Sequence, residues 1–291
     1  MRHVLAFDIG GTFIKRAIVS EGGEIKHLEK VTTPTALAEL YSVIQATTSQ
    51  IDSEIIGIAL SAPGAVQDNG VIAGVSALPY IHGPNIKKDI ANLTGLPVAL
   101  ENDANCAALA EGWVGQATDV QDFVTFVIGT GIGGAIVKAG QIHKGAHGQG
   151  GEWGQMIVNE DGKLQAYSRV ASTAALVRQV RKAHDLGALT GEAVFQLAEE
   201  GDSAALEAIE RFYANLAMGI CNIQSAYDPE LVLIGGGIST RSGLVEQINQ
   251  AIRKLVDQID ELTVYPEIRL CQFQADANLI GAANHFFKVC S

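Results

Sequence analysis

The sequence predicts an α/β protein made of two halves with one topology, and three observations carry that prediction. Apolar strand-like runs alternate with helical stretches along the chain. A strand, a glycine turn, a second strand and a hairpin at the N-terminus recur about 118 residues later, a period far too long for a solenoid. Three glycine clusters each follow an apolar strand.

Val4-Leu5-Ala6-Phe7-Asp8 reads as a strand and Gly10-Gly11-Thr12 as a turn. Residues 14–20 read as a second strand, and Gly22-Gly23 as a hairpin feeding 24–30, which makes a three-stranded meander. A helix over 35–48, an apolar run at 55–60, a helix at 85–93 and a buried strand at 97–100 follow. Asp103 then opens an alanine-rich helix to about 113.

A fresh start comes at Asp122, with a strand at 123–128, a glycine turn at 129–134, a strand at 135–138 and a hairpin at Ala139-Gly140. The two starts match letter by letter: Ala17-Ile18-Val19 precedes Gly23-Glu24-Ile25, and Ala135-Ile136-Val137 precedes Gly140-Gln141-Ile142. Helices are predicted at 172–184, 191–199 and 203–227, then a strand at 231–234 ending in Gly235-Gly236-Gly237. A helix at 242–259, a strand near Ile268 and a last helix from about Asp276 complete the chain. Two domains are expected, at 1–118 and 119–291, with the last helix, about 276–291, able to pack back on the first.

With 47% hydrophobic and 18% charged residues, the 291-residue chain can bury real cores and is neither a disordered tail nor a fibrous repeat. Twenty Lys+Arg against 32 Asp+Glu leave a net charge of −12, which argues against a nucleic-acid partner and for a small substrate. The N-terminus meets a charged residue after four apolar positions and no run reaches membrane-span length, so a cytoplasmic protein without a membrane partner is expected. Cys106, Cys221, Cys271 and Cys290 stand far apart with no C-x-x-C, the pattern of buried free thiols.

Glycines after strands let backbone N–H groups approach an anion without Cβ interference. Two such loops in matching context suit the phosphates of a nucleotide, with Asp8 directed to a hydrated Mg²⁺ and the hydroxyls of Thr12 and Thr130 on phosphate oxygens. Asp8 capping its own turn is the alternative. Lys15 is the basic residue close to the first loop, aimed at phosphate or at solvent. Gly129, Gly131 and Gly134 also satisfy G-x-G-x-x-G, but a nicotinamide-dinucleotide oxidoreductase needs a helix there, and residues 135–142 have strand chemistry. A P-loop sequence is absent.

Asn102 and Asp103 lie where a buried strand gives way to a helix, the place where open α/β sheets present ligand-contacting residues. Asp103 can accept the proton of a hydroxyl that attacks a phosphoryl group, while Asn102 offers an amide to a neighbouring hydroxyl. Both are also favoured helix N-caps, which leaves that reading open. Glu152 and Gln155, set among glycines, suit a polyhydroxylated ligand. His143 and His147 lack the helix and glutamate of a zinc motif.

In this order, Asp8-Ile9-Gly10-Gly11-Thr12, Glu101-Asn102-Asp103-Ala104-Asn105, Gly129 through Gly134, Gly151-Glu152-Trp153-Gly154 and Ile234-Gly235-Gly236-Gly237-Ile238 make the chain resemble the ROK sugar kinases over nearly its whole length. The resemblance implies two ribonuclease-H-like domains of the actin and hexokinase kind with a cleft between them: a sugar and phosphate domain first, a nucleotide-binding domain second. It implies Asp103 as general base, and Gly64 (in Ser61-Ala62-Pro63-Gly64), Asn102, Asp103, Glu152 and Gln155 on the sugar. Asp8, Gly10, Gly11, Thr12, Lys15, Thr130, Gly131, Gly235 and Gly236 fall to ATP, with Asp8 serving Mg²⁺ indirectly. Many members carry a histidine at the place of Gln155 and a cysteine-rich zinc motif beyond it; 161–172 holds no Cys, so no zinc is expected. A further sugar-binding glutamate of those members falls near Ser168.

The implied activity is ATP-dependent phosphorylation of the 6-hydroxyl of a hexose or N-acylhexosamine, of the glucose, β-glucoside or N-acetylmannosamine type, by a homodimer. The same family contains sugar-sensing transcriptional regulators, whose DNA-binding segment precedes the first glycine loop; here seven residues precede Asp8.

Overall fold

The computed structural model describes residues 1–51, 54–184, 187–259 and 261–290. The chain begins with β1 (His3–Ile9), β2 (Phe13–Ser20) and β3 (Ile25–Thr32), the expected meander, followed by α1 (Leu37–Gln50) and β4 (Ile58–Ala62). A small hairpin of β5 (Ala65–Val66) and β6 (Ile72–Ala73) comes next, then α2 (Ile86–Thr94), β7 (Val98–Asn102) and α3 (Asp103–Val114). The α2 helix has both end signals: Asn85 Oδ1 accepts the Lys88 N–H at 3.0 Å, and Gly95 closes it at φ 72°. The sheet order is β3-β2-β1-β4-β7, with β1 antiparallel to β2 and the β1–β4 and β4–β7 pairs parallel.

Two predicted strands shift. The run expected at 55–60 becomes strand only from Ile58 and continues to Ala62, because Ile58 to Ser61 are the residues that pair with Leu5 to Asp8 of β1. The β7 strand likewise runs on to Asn102, which pairs with Ala62. Pairing register, not apolarity, sets both ends.

The second half opens with β8 (Phe123–Ile128) and β9 (Ile132–Lys138), so the glycine turn is shorter than expected and Gly133 and Gly134 are strand residues. A strand, not a helix, follows the G-x-G-x-x-G. Ala139 (φ 50°) and Gly140 (φ 70°) form the predicted tight turn into β10 (Gln141–Ile142). A polar hairpin of β11 (Ile157–Glu160) and β12 (Lys163–Ala166) leads to α4 (Ser168–Ala171), α5 (Thr173–His184), α6 (Gly191–Glu199) and α7 (Ser203–Tyr227). Then come β13 (Leu231–Gly235), α8 (Leu244–Val256), β14 (Ile268–Leu270) and α9 (Ala277–Val289). The strands β9-β8-β13-β14 lie in that order, β8 antiparallel to β9 and the β8–β13 and β13–β14 pairs parallel. That is the pattern of β2-β1-β4-β7, so the letter-by-letter echo reflects repeated topology.

The residues group into two compact units, 1–119 with 141–150 and 275–291, and 120–140 with 151–274. Segment 141–150 therefore belongs with the first unit, which a single cut near residue 118 does not anticipate. In the second unit Phe126, Tyr167, Phe212 and Leu216 sit in one core. The first-unit sheet is covered on both faces. Leu5, Phe7 and Ile9 of β1 join a core with Leu40, Ile44, Ile86 and Ile90 of α1 and α2, while Val4 and Ala6 join Cys106, Leu279, Ala283 and Phe286 of α3 and α9. Of the four free cysteines, Cys106 and Cys221 are buried as expected and Cys271 and Cys290 are only half-buried.

Candidate active site

On the α3/α9 face of the first sheet, one row across the strands is alanine: Ala17 pairs with Ala6, Ala6 with Ala59, and Ala59 with Ala99. Small side chains let the two helices lie close to the sheet and to each other. Two residues along every strand the same face turns polar, with Lys15 opposite Asp8, Asp8 beside Ser61, and Ser61 beside Glu101. The row lies at the C-terminal ends of the parallel strands, where ligands bind in open α/β sheets.

Asp8 is held from two sides. Ser61 Oγ donates to its Oδ1 at 3.2 Å, and Asn278 Nδ2 of α9 donates to the same oxygen at 3.0 Å. Burial pushes the Asp8 carboxyl above its ordinary pKa, against the pull of the Asn278 hydrogen bond, the Lys15 charge and the Ser61 hydroxyl. Lys15 Nζ is drawn to the start of α9, 3.7 Å from Asp276 Oδ1 and bonded to the Ala275 carbonyl.

Asn102 caps α3, its Oδ1 accepting the Asn105 N–H at 3.1 Å. Its Nδ2 donates to the Gly64 carbonyl at 3.1 Å and to Asp103 Oδ1 at 2.9 Å. Gly64 adopts φ 106°, and a Cβ there would press on Ile72, His82 and the Ala73 carbonyl, so the loop needs glycine. Asp103 Oδ1 also accepts the Ala104 N–H at 2.8 Å. Burial raises the Asp103 pKa, and the charge of Asp8 raises it further, while the Ala104 and Asn102 hydrogen bonds lower it. Of the two readings of the dipeptide, the structure shows the cap: Asn102 is the N-cap and Asp103 the first residue of α3.

The donor set suits magnesium. Two electrostatically opposed carboxylates favour a divalent cation, and Mg²⁺ is characteristically held by one or two carboxylates plus substrate phosphates. Among the described residues no three His, Cys, Asp or Glu side chains are grouped to hold a metal by themselves.

In the first loop Gly10 N–H donates to the Phe13 carbonyl at 3.1 Å and Thr33 Oγ1 donates to Gly10 O at 2.6 Å, which leaves Gly11 and Thr12 exposed at the turn. In the second unit, Gly129, Thr130, Gly237 and Ile238 line a cavity of about 1150 Å³. Its further walls are the N-terminal ends of α5 and α6, at Thr173 and Gly191, where helix dipoles are positive. Arg178, Arg181, Phe195 and Arg241 also line it, with the Arg241 guanidinium 3.8 Å over the Phe195 ring. Of the predicted glycines, Gly235 is buried at the end of β13 with Cys271 Sγ 3.0 Å from where its Cβ would be, a packing position. Gly236 (φ 87°) turns the chain against the Ile128 carbonyl. Gly131 lies beside Ser168, whose Oγ accepts the Ile132 N–H at 2.9 Å, so Ser168 braces the glycine turn.

Glu152 and Gln155 lie outside that cavity, exposed on a 3₁₀ turn with Gln155 Nε2 3.4 Å from Glu152 Oε2. Trp153 fixes the turn by stacking on Phe126 at 5.5 Å and donating its Nε1 hydrogen to the Thr125 carbonyl at 2.7 Å.

The profile of the ROK family matches residues 4–288. The chain belongs to the ROK family. A β-glucoside kinase of Listeria monocytogenes is 33% identical over 98% of this chain and 97% of its own length. A ROK family protein of Streptococcus pneumoniae TIGR4, solved in complex with sucrose, is 39% identical with a TM-score of 0.92 over 98% of both chains. A ROK family glucokinase of Streptomyces griseus, solved with glucose and AMPPNP, is 26% identical with a TM-score of 0.76 over 97% of this chain and 98% of its own. The two-sheet α/β fold is thus the ROK sugar-kinase fold.

Sequence reasoning missed Asn278, Lys144, His285 and the arginines of the second-unit cavity. Arg178 and Arg181 carry a faint signal, three apart on one helix face. Asn278 has none, because its partner lies 270 positions away.

Proposed function

We propose that this chain is an ATP-dependent kinase for the 6-hydroxyl of a hexose or N-acylhexosamine, of the glucose, β-glucoside or N-acetylmannosamine type. The observation that carries this is Asp103, raised in pKa at the corner between β7 and α3, with both its hydrogen bonds to neighbouring groups on Oδ1. Oδ2 then takes the proton as the sugar oxygen bonds the γ-phosphorus, and the bond from that phosphorus to the bridging oxygen of ADP breaks. The named activities of the curated relatives, β-glucoside kinase, glucokinase and N-acetylmannosamine kinase, support the reading.

Asn102 and the Gly64 backbone orient sugar hydroxyls, and we assign Glu152 and Gln155 to the same ligand. Gly10, Gly11, Thr12, Lys15, Thr130, Gly131 and Gly236 are assigned to ATP, with the cavity at Thr130 and Gly237 large enough for its nucleoside, while Gly235 packs behind it against Cys271. A magnesium ion near Asp8 would supply neutralisation of phosphate charge. A homodimer is the assembly we infer.

The test is ADP release across glucose, mannose, fructose, N-acetylmannosamine, N-acetylglucosamine and cellobiose, with Asp103→Asn as control. Turnover on at least one sugar is expected, with sugar binding kept and at least about 100-fold of the rate lost in Asp103→Asn. No turnover on the whole panel would refute the kinase reading, and an unimpaired variant would remove Asp103 as base.

A further inference from the structure

Beside the corner that carries Asp103 lies a carboxylate for which the reaction itself has no use. Glu101 is the last member of the polar row, and its side chain is only 1% exposed. A carboxylate so far from water needs partners that replace the lost hydration. Glu101 has such a set. Oε1 accepts the backbone N–H of Asn102 at 2.8 Å and the side-chain N–H of Asn105 at 2.9 Å. Oε2 is 2.8 Å from Lys144 Nζ and 4.0 Å from His285 Nε2.

The distribution of these contacts is informative. Oε1 ties both ends of the first turn of α3, the residue before Asp103 and the residue two after it. Oε2 is left for the cation. Lys144 itself arrives from segment 141–150 and also donates to the Val66 carbonyl at 3.3 Å, so its ammonium is steered by two acceptors. His285, from α9, is biased to its neutral form by burial and by Lys144, Lys87 and Lys288, although Glu101 opposes this; Lys144 is the positive partner.

We propose that Glu101, paired with Lys144, is a positioning residue for Asp103: the ion pair and the two hydrogen bonds on Oε1 lock the turn that aims the base at the acceptor hydroxyl. This rests on the kinase reading above. The effect on turnover is steep because a displacement of about 1 Å at a reacting group can cost on the order of 100-fold in rate.

Four variants test it, with the full chain, MgATP and a sugar the parent phosphorylates: Glu101→Gln, Lys144→Met, Lys144→Arg and the double Glu101→Gln/Lys144→Met. Each is assayed for kcat, for KM of both substrates and for melting temperature. Glu101→Gln and Lys144→Met should each lower kcat by about 10–100-fold with the ATP KM within about twofold. Lys144→Arg should recover most of the rate. The double variant should lose clearly less than the product of the single losses, because the first change already breaks the pair. Lys144 is about a quarter exposed, so its variants carry the test if Glu101→Gln does not fold. Undiminished kcat in folded Glu101→Gln or Lys144→Met, multiplicative losses in the double variant, or lower melting temperature and higher KM with kcat intact would each overturn the inference while the kinase reading stands. A parent protein inert on every sugar would overturn both.

Discussion

Asn278 Nδ2 donates to Asp8 Oδ1 at 3.0 Å, joining the first turn of the last helix to the end of the first strand across 270 positions of sequence. The contact follows from alternation along β1. Val4 and Ala6 point at α3 and α9, so Asp8 does too, and the helix that covers the small residues brings a donor to the carboxylate.

Removing that donor should tell on the metal-nucleotide side of the reaction. The Asn278 hydrogen bond lowers the Asp8 pKa, so Asn278→Leu raises it further and leaves a poorer carboxylate for a cation. The KM for MgATP should rise about 3–10-fold with sugar affinity, measured by calorimetry, within about twofold of the parent.

The pH dependence has a defined sign. Burial holds both Asp8 and Asp103 above the ordinary carboxylate range, and the base role proposed for Asp103 requires its deprotonated form, so kcat/KM should fall on acidification at a pH above the usual aspartate value. A magnesium ion at the site proposed near Asp8 would offset the repulsion between the two, so the acid limb of kcat at saturating Mg²⁺ should lie at lower pH than at limiting Mg²⁺. A limb that does not move with magnesium would separate Asp103 from the metal site.

Stability runs the opposite way from activity. A carboxyl with a raised folded pKa contributes stability that is present below its unfolded pKa and is lost as pH rises through the folded one. Above that folded pKa the ionised Asp103 is therefore a liability to the fold, and there Asp103→Asn should melt a few degrees higher than the parent while losing turnover. At a pH below both pKa values the difference in melting temperature should vanish.

The alanine row has a counterpart on the helices. A Cβ at Gly281 of α9 would collide with the Cys106 carbonyl of α3, a backbone atom that cannot swing aside. Gly281→Ala should cost about 3 kcal/mol or more and lower the melting temperature by roughly 6–12 °C, measured calorimetrically.

Gly237 offers the converse. A Cβ there meets nothing within 4 Å, φ is not in the left-handed region, and the residue lines the second-unit cavity. Gly237→Leu should leave the melting temperature unchanged and weaken ADP binding at least about 10-fold by filling the space proposed for the nucleoside. Unchanged ADP affinity would move the nucleotide out of that cavity.

The sequence on its own settles what depends on neighbours in the chain. The meander of β1 to β3, the matching turn at Ala139-Gly140, and helices α6 and α7 to the residue follow from local turn chemistry and helical periodicity. Asn102-Asp103 is legible for the same reason, since capping is a property of consecutive residues. The two-residue strands β5 and β6 are too short to show a period, and the polar β11 and β12 lack an apolar one. What only tertiary structure decides is register. Nothing local says that Lys15, Asp8, Ser61 and Glu101 stand in one row, that α9 delivers Asn278 and His285 to it, or that Lys144 returns to Glu101. A one-residue slip between strands would scatter them over both faces of the sheet, and the pairing that prevents it is fixed by burial of distant apolar groups.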